Sequence, residues 1–91
     1  STASAWLRWL RDGHVQEVIE AGARSAEIVR LDAVITTFEV RYVFSDREAF
    51  TAYQRDHAGR LQAEGLERFP ESSGVRYERS TGEIEATFTG G

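Results

Sequence analysis

Two histidines, His14 and His57, are the residues of this sequence whose type and neighbours could support chemistry. Each has an aspartate close by in sequence, Asp12 and Asp56, and a carboxylate that orients an imidazole is a common arrangement in general acid–base catalysis. Asp56, however, is the immediate neighbour of His57, and adjacent residues on a helix point in different directions. We therefore predict no catalytic residue, and we interpret both histidines as structural residues that are hydrogen-bonded near helix ends.

The alternative is that the histidines line a ligand pocket between helices and sheet. Its other walls would be aromatic and cationic, and the candidate pocket residues are Trp9, His14, Tyr53, His57 and Arg60. A metal site needs three or four converging ligands. The sequence offers two histidines and no cysteine, so we predict no metal and no cofactor. It also lacks a glycine-rich phosphate loop and a Gly-x-Ser-x-Gly nucleophile motif.

The length and charge of the chain limit the number of domains and the classes of partner that it could bind. The 91 residues allow one domain, residues 1–91, with one core. The net charge is −4, from 15 acidic residues against 11 bases, all of them arginine. This balance argues against a nucleic-acid surface, where clustered positive charge is expected. With no long apolar run and no secretory leader, we expect a cytoplasmic protein that does not contact membranes.

The candidate residues must be positioned by two amphipathic helices. The first begins among Ser1–Ser4 and ends at Gly22, with an interruption at Asp12-Gly13 that predicts a kink or a helix in two parts. The second is predicted to begin at Ser45, whose spacing to Glu48 is that of a capping box.

The apolar stripe of the second helix includes Phe50, Tyr53, His57 and Leu61. The helix is expected to end near Gly65 or to continue to Phe69, because Pro70 prevents a further turn.

Four segments have the composition and alternation of strands. Residues 25–31 and 34–44 are rich in β-branched and aromatic residues and are predicted to pair through a turn at Asp32-Ala33. Phe38, Val40, Tyr42 and Phe44 share one face of the second strand. Residues 75–80 and 83–89 also alternate, and Thr81-Gly82 between them predicts a second hairpin.

These elements predict an α+β protein of ferredoxin-like plan. The expected architecture is a two-layer sandwich in which two helices cover one face of a four-stranded antiparallel sheet, in the order α-β-β-α-β-β. The other face would be charged, since Glu39, Arg41 and Glu85 point away from the helices.

The two helices also share a short internal match. His14-x-x-Glu17-Val18-x-x-x-Gly22 aligns with His57-x-x-Arg60-Leu61-x-x-x-Gly65. A duplicated half would give such a match, and so would chance.

Residues 5–22 (AWLRWLRDGHVQEVIEAG) and 53–69 (YQRDHAGRLQAEGLERF) resemble domain-of-unknown-function family 4286, an uncharacterised bacterial family similar to the ferredoxin-like, dimeric α+β barrel proteins. The chain departs from the family pattern at Gln16 and Gly59, where proline is frequent. The resemblance implies the element order β-α-β-β-α-β, yet this chain begins with the helix.

A segment like the family's first strand lies near the end instead, at residues 84–89. The first and fourth strands of a ferredoxin-like sheet are neighbours, so a short turn could join them. We therefore interpret the chain as a circular permutant of engineered origin. A natural chain with the order α-β-β-α-β-β is the alternative.

No specific biochemical function follows from these features. We predict a structural or assembly scaffold that forms homo-oligomers, through its charged sheet face or by exchange of its terminal strand. The alternative is a small-molecule-binding protein or enzyme of the dimeric α+β barrel type, built on the candidate pocket. An enclosed cavity reached by both histidines would favour that alternative.

Overall fold

The first helix, α1, is one continuous helix over residues 2–20 in the computed structural model, which describes residues 1–91. It consists of an α-helical part, Thr2–Trp9, a π-helical turn, Leu10–His14, and a second α-helical part, Val15–Glu20. Ser1 caps its start by accepting a hydrogen bond from the Ser4 N–H at 3.3 Å, as the sequence predicted.

The π turn of α1 contains the predicted interruption at Asp12-Gly13. The N–H of Val15 bonds to the carbonyl of Leu10, five residues earlier, so one extra residue is accommodated without ending the helix. The apolar stripes before and after the turn are offset by that residue. Asp12-Gly13 therefore does not end the helix. It changes which side chains share a helix face on the two sides of the π turn.

The end of α1 is a Schellman motif at Gly22, which has φ +135°. The N–H of Gly22 bonds to the Ile19 carbonyl at 3.0 Å, and the N–H of Ala23 bonds to the Val18 carbonyl at 3.2 Å. Because this φ is rarely adopted by residues with a side chain, glycine is needed here, and the stop predicted at Gly22 is confirmed.

The sheet has two antiparallel strands, β1 (Ser25–Arg30) and β2 (Phe38–Val43), with Ser25 opposite Val43 and Arg30 opposite Phe38. The connection spans residues 31–37 and is longer than the predicted turn at Asp32-Ala33. It is closed by the Leu31 N–H, which bonds to the Thr37 carbonyl at 2.9 Å. Residues 34–36 lie beyond the end of β1 and have no strand opposite them, so they are exposed loop.

The second helix, α2, spans residues 47–68 and also contains a π turn. Its parts are Arg47–Tyr53, the π-helical Gln54–Ala58, and Gly59–Arg68. The predicted cap at Ser45 is wrong by one residue: Asp46 is extended and its Oδ1 accepts from the Ala49 N–H at 2.8 Å. The helix ends just before Pro70, as predicted, and a short 3₁₀ turn, Glu71–Ser73, follows.

The core lies where both helices meet the sheet. Val18, Ala23 and Leu61 form its buried centre, and Tyr42, Phe44 and Tyr53 are among the partly buried residues packed on it. Phe38 contacts Trp6, with ring centroids 5.5 Å apart. The predicted apolar face of β2 is confirmed, and Glu39 and Arg41 form an ion pair on the opposite face.

The predicted four-stranded sheet is wrong. Residues 75–91 (the tail) form no strand and make no backbone–backbone hydrogen bond, and residues 78–91 are all exposed. Alternation shows only that a segment could bury one face; an isolated hairpin is marginal without a neighbouring strand or helix to cover it.

The architecture is therefore α+β, with two helices on a two-stranded sheet. The ferredoxin-like sandwich with four strands in the order α-β-β-α-β-β is overturned. The interpretation as a circular permutant required residues 84–89 inside the sheet and loses its basis. None of the helices is both long and apolar enough to span a bilayer.

Candidate functional site

Trp9 lies between the two helices and organises the site. Its indole stacks on His14, with ring centroids 4.1 Å apart and an interplanar angle of 21°, and meets Phe69 edge-on at 5.7 Å. A Cβ atom at Gly65 would lie 3.3 Å from Cη2 of Trp9. The glycine therefore lets the indole pack closely against α2, which fixes the spacing between the helices at this point.

His14 is the last residue of the π turn in α1 and is half-buried. Its Nδ1 atom is buried and has no hydrogen-bond partner. Burial lowers the pKa of His14 below 6.5; the Glu64 carboxylate opposes this shift and the Arg79 guanidinium adds to it. A lowered pKa keeps the imidazole neutral at neutral pH, the form that has a free lone pair.

Two glutamates converge on His14. Glu17 follows it by three residues on α1, so both side chains lie on one face of the helix. Glu64 reaches the same place from α2. The ligand-capable atoms of the three side chains all lie within 4.8 Å of one another.

These side chains border a groove of about 340 Å³ that is open to solvent. Its lining is mainly polar and consists of Ala5, Arg8, Trp9, Asp12, Gly13, His14, Glu17, Glu64 and Arg68. Three carboxylates and two guanidinium groups thus face the same space. The groove has the size of a small-ligand site, but it is reached by one histidine only.

The other predicted pocket residues lie elsewhere on α2. Tyr53 and His57 stack on each other with centroids 6.5 Å apart, and Tyr53 also packs on Phe44 at 5.0 Å. Arg60 contacts Glu64 at 3.4 Å. Of the five residues named from the sequence, the structure brings Trp9 and His14 together in the groove, whereas Tyr53, His57 and Arg60 are not part of its lining.

Asp56 does not orient His57 in this structure. Both of its carboxylate oxygens accept from Arg55, at 2.9 Å each. That hydrogen-bonded contact holds the pKa of Asp56 below its usual value. Asp56 therefore binds Arg55 instead of His57, as the different directions of adjacent side chains on a helix predicted.

Glu17 and Glu64 were not predicted as candidate residues from the sequence. The spacing His14-x-x-Glu17 was a usable signal, since it places an imidazole and a carboxylate one turn apart. No signal along the chain pointed to Glu64, because only the packing of α2 on α1 brings it to His14.

The internal match corresponds to similar structure in both helices. Val18 and Leu61, which align in the match, are each 1% exposed and lie in the same core. The histidine of each copy lies within a π turn. The copies differ in chemistry, because Arg60 stands where the first copy has Glu17.

A second feature of the molecule is that the outer edges of β1 and β2 have no neighbouring strand. Beyond the β1–β2 pairing, the only backbone hydrogen bonds of the sheet region are from Arg24 to Val43 and from Leu31 to Thr37, so both outer strand edges are free.

The tail is attached to the rest of the molecule by side chains. The Tyr77 hydroxyl donates to the Phe69 carbonyl at 2.8 Å, and Arg47 pairs with Glu83 at 2.8 Å. Burial raises the pKa of Tyr42, and the charge of Arg79 in the tail opposes this effect.

Comparison with known proteins gave one match. The profile of the family described as Domain of unknown function (DUF4286) matches residues 1–77. The match ends before the strand-like residues 83–89. No match was found among curated proteins or among solved structures.

Proposed function

Because the chain belongs to the family described as Domain of unknown function (DUF4286), whose description assigns no activity, we propose from the structure that it is an assembly module. Two copies associate by exchanging the strand-like end of the tail, residues 83–89. This segment adds to the free edge of β2 in the other copy, which makes the dimer reciprocal and closed.

The observation that carries this proposal is the unpaired backbone. The tail has a strand-like alternation but makes no backbone–backbone hydrogen bond, and β2 has a free edge. Unpaired strand edges are templates for pairing with another chain. The exposed side chains agree, because Ile84 and Phe88 lie on one face of the segment and are 66% and 90% exposed.

The amount of exposed surface also supports association. A compact monomer of 10.2 kDa exposes about 5,300 Å², whereas this chain exposes 7192 Å². The excess of roughly 1,900 Å² is more than the ~800 Å² that each partner buries in a standard interface. The Cα radius of gyration, 14.2 Å, likewise exceeds the ~12 Å of a compact chain of this length.

The free edge of β2 fits the segment better than that of β1. The helix-covered face of β2 carries Phe38, Val40 and Tyr42, all partly exposed, so an added strand bearing Ile84 and Phe88 would extend an apolar layer. The same face of β1 carries Ile28 and the smaller Ala26, and it ends in the exposed, charged Arg30. On the opposite face, Glu85 of the segment would meet the strand that carries Arg41.

The test compares two double variants in the same segment. Ile84→Lys with Phe88→Lys places charge on the apolar face, and Thr87→Lys with Thr89→Lys adds the same charge to the other face. We expect the wild-type chain and the threonine variant to have twice the chain mass in analytical ultracentrifugation. The Ile84/Phe88 variant should be a monomer.

Amide hydrogen exchange locates the contact. Residues 83–89 and β2 should be protected in the dimer and should exchange freely in the Ile84/Phe88 variant. A wild-type chain that stays monomeric up to millimolar concentration would overturn the proposal. So would a dimer that survives the Ile84/Phe88 change.

The geometry gives less support to a small-molecule enzyme of the dimeric α+β barrel type. That function was predicted on a pocket shared by both histidines, and the groove contains His14 without Tyr53, His57 or Arg60.

A further inference from the structure

A three-residue donor set, His14, Glu17 and Glu64, is the strongest site in the molecule that assembly does not use. Its ligand atoms lie within 4.8 Å of one another. Nitrogen and oxygen ligands bind Zn²⁺ at about 2.0–2.2 Å, so neighbouring donors in a tetrahedral site are about 3.3–3.6 Å apart. Rotation of the two glutamate side chains, which are at least partly exposed, can close the difference.

The donors come from two helices whose spacing is fixed. His14 and Glu17 share one face of α1, and Glu64 lies on α2 next to Gly65. The contact of Trp9 with Gly65 holds the helices together at this level, and the Trp9 ring stacks on the imidazole. The donors therefore face each other across a packed contact, as ligands on facing helices of a bundle do.

An independent observation points to a ligand for His14. Its Nδ1 atom is buried without any hydrogen-bond partner. Buried polar atoms in proteins nearly always have a partner, and one that lacks it needs an explanation. No protein hydrogen bond at Nδ1 therefore competes with a cation for the imidazole.

The charges of the donor set match a divalent cation, although the groove as a whole is not acidic. Arg8 and Arg68 line it, Arg60 pairs with Glu64, and the Arg79 charge acts on His14. The two ligand carboxylates would neutralise a divalent ion.

The present partner of Glu64 is Arg60, at 3.4 Å, with both side chains substantially exposed. Exposed pairs of this kind contribute little to stability, so a cation can displace the arginine.

We propose that His14, Glu17 and Glu64 bind a divalent first-row transition metal ion, with Zn²⁺ as the preferred ion. One imidazole nitrogen and two carboxylates suit Zn²⁺, whereas Mg²⁺ and Ca²⁺ prefer sites made of oxygen alone. Three protein ligands leave a coordination position open toward the groove.

The experiment is a calorimetric titration of the full chain, without an affinity tag, with zinc chloride. We expect one ion per chain and no binding of magnesium or calcium chloride. Cobalt chloride should quench the fluorescence of Trp9, whose ring lies 4.1 Å from that of His14. The variant Trp6→Phe isolates this signal.

Matched variants identify the ligands. We expect His14→Ala to weaken Zn²⁺ binding about 100-fold, and Glu17→Gln or Glu64→Gln about 10-fold. His57→Ala, Glu20→Gln and Glu67→Gln should stay within about twofold, because these residues are outside the donor set. Arg60→Gln should tighten binding, because it frees Glu64 from its ion pair.

Three results would overturn the site: no Zn²⁺ binding at millimolar metal, equal losses in His14→Ala and His57→Ala, or equal binding of Mg²⁺. If circular dichroism shows that His14→Ala does not fold, the exposed variants Glu64→Gln and Arg60→Gln provide the test. Glu64→Gln should weaken Zn²⁺ binding, and Arg60→Gln should tighten it. The Ile84/Phe88 variant should bind Zn²⁺ like the wild type, which separates this proposal from the dimer.

Discussion

At the scale of single residues, the contact between Trp9 and Gly65 determines how closely the helices approach at the groove. Both Gly65 and Gly59 lie in the last part of α2, where alanine is favoured over glycine by about 1 kcal/mol. A Cβ atom at Gly59 would meet nothing within 4 Å, whereas at Gly65 it would lie 3.3 Å from the indole. The two glycines therefore form a natural comparison.

We predict that Gly59→Ala raises the free energy of unfolding by about 0.5–1 kcal/mol, because it adds only helix propensity. Gly65→Ala should gain less or should destabilise, because the Trp9 ring must move away from its close-packed position. Urea denaturation followed by circular dichroism measures both. Equal gains in the two variants would show that Trp9 does not pack on Gly65.

At the scale of elements, the start of α2 depends on one side chain. Asp46 accepts from the Ala49 N–H at 2.8 Å, and its negative charge lies at the positive end of the helix dipole. The neighbouring Ser45 has the right chemistry for a cap, but the helix begins one residue later. Propensity alone did not distinguish the two positions.

Asp46→Ala should lower the free energy of unfolding by about 1 kcal/mol, because the helix loses its cap. Ser45→Ala is the control and should change stability by less than about 0.5 kcal/mol, since it removes no cap. Chemical denaturation at low salt checks the pair. A larger loss for Ser45→Ala would restore the cap predicted from the sequence.

At the scale of the whole molecule, Tyr42 connects the sheet to the core, since it lies on β2 and packs against the buried cluster. Burial raises its pKa to about 12 from an ordinary value of 10.0, while the Arg79 charge acts in the opposite direction. The phenol is therefore kept neutral by packing that involves several elements, and its ionisation reports on the intact fold.

Alkaline pH should weaken the fold between pH 10 and about 12. In this range the unfolded chain has released the Tyr42 proton while the folded chain still holds it, so stability falls as the pH rises. Denaturant unfolding at stepped pH measures the loss. Tyr42→Phe should remove part of it, and an unchanged pH dependence in that variant would contradict the burial of the phenol.

The sequence by itself determined the local features of this protein. It predicted two helices, the end of α1 at Gly22, the interruption at Asp12-Gly13, the pairing of the first two strand segments and the family. Each of these depends on neighbours along the chain: a turn that glycine permits, an apolar spacing, or a run of β-branched residues. It also placed Trp9 and His14 together among the candidate pocket residues, and both line the same groove.

Only the tertiary structure decided which segments find partners. Glu64 lies close to His14 because α2 packs on α1. Nothing in the sequence around either residue indicates that the two side chains are close in space. Residues 75–91 have the alternation of strands but stay unpaired within the chain, because alternation makes a buried face possible without supplying the strand that covers it. Pairing and convergence are properties of contacts between distant residues, and such contacts are fixed only when the whole chain packs.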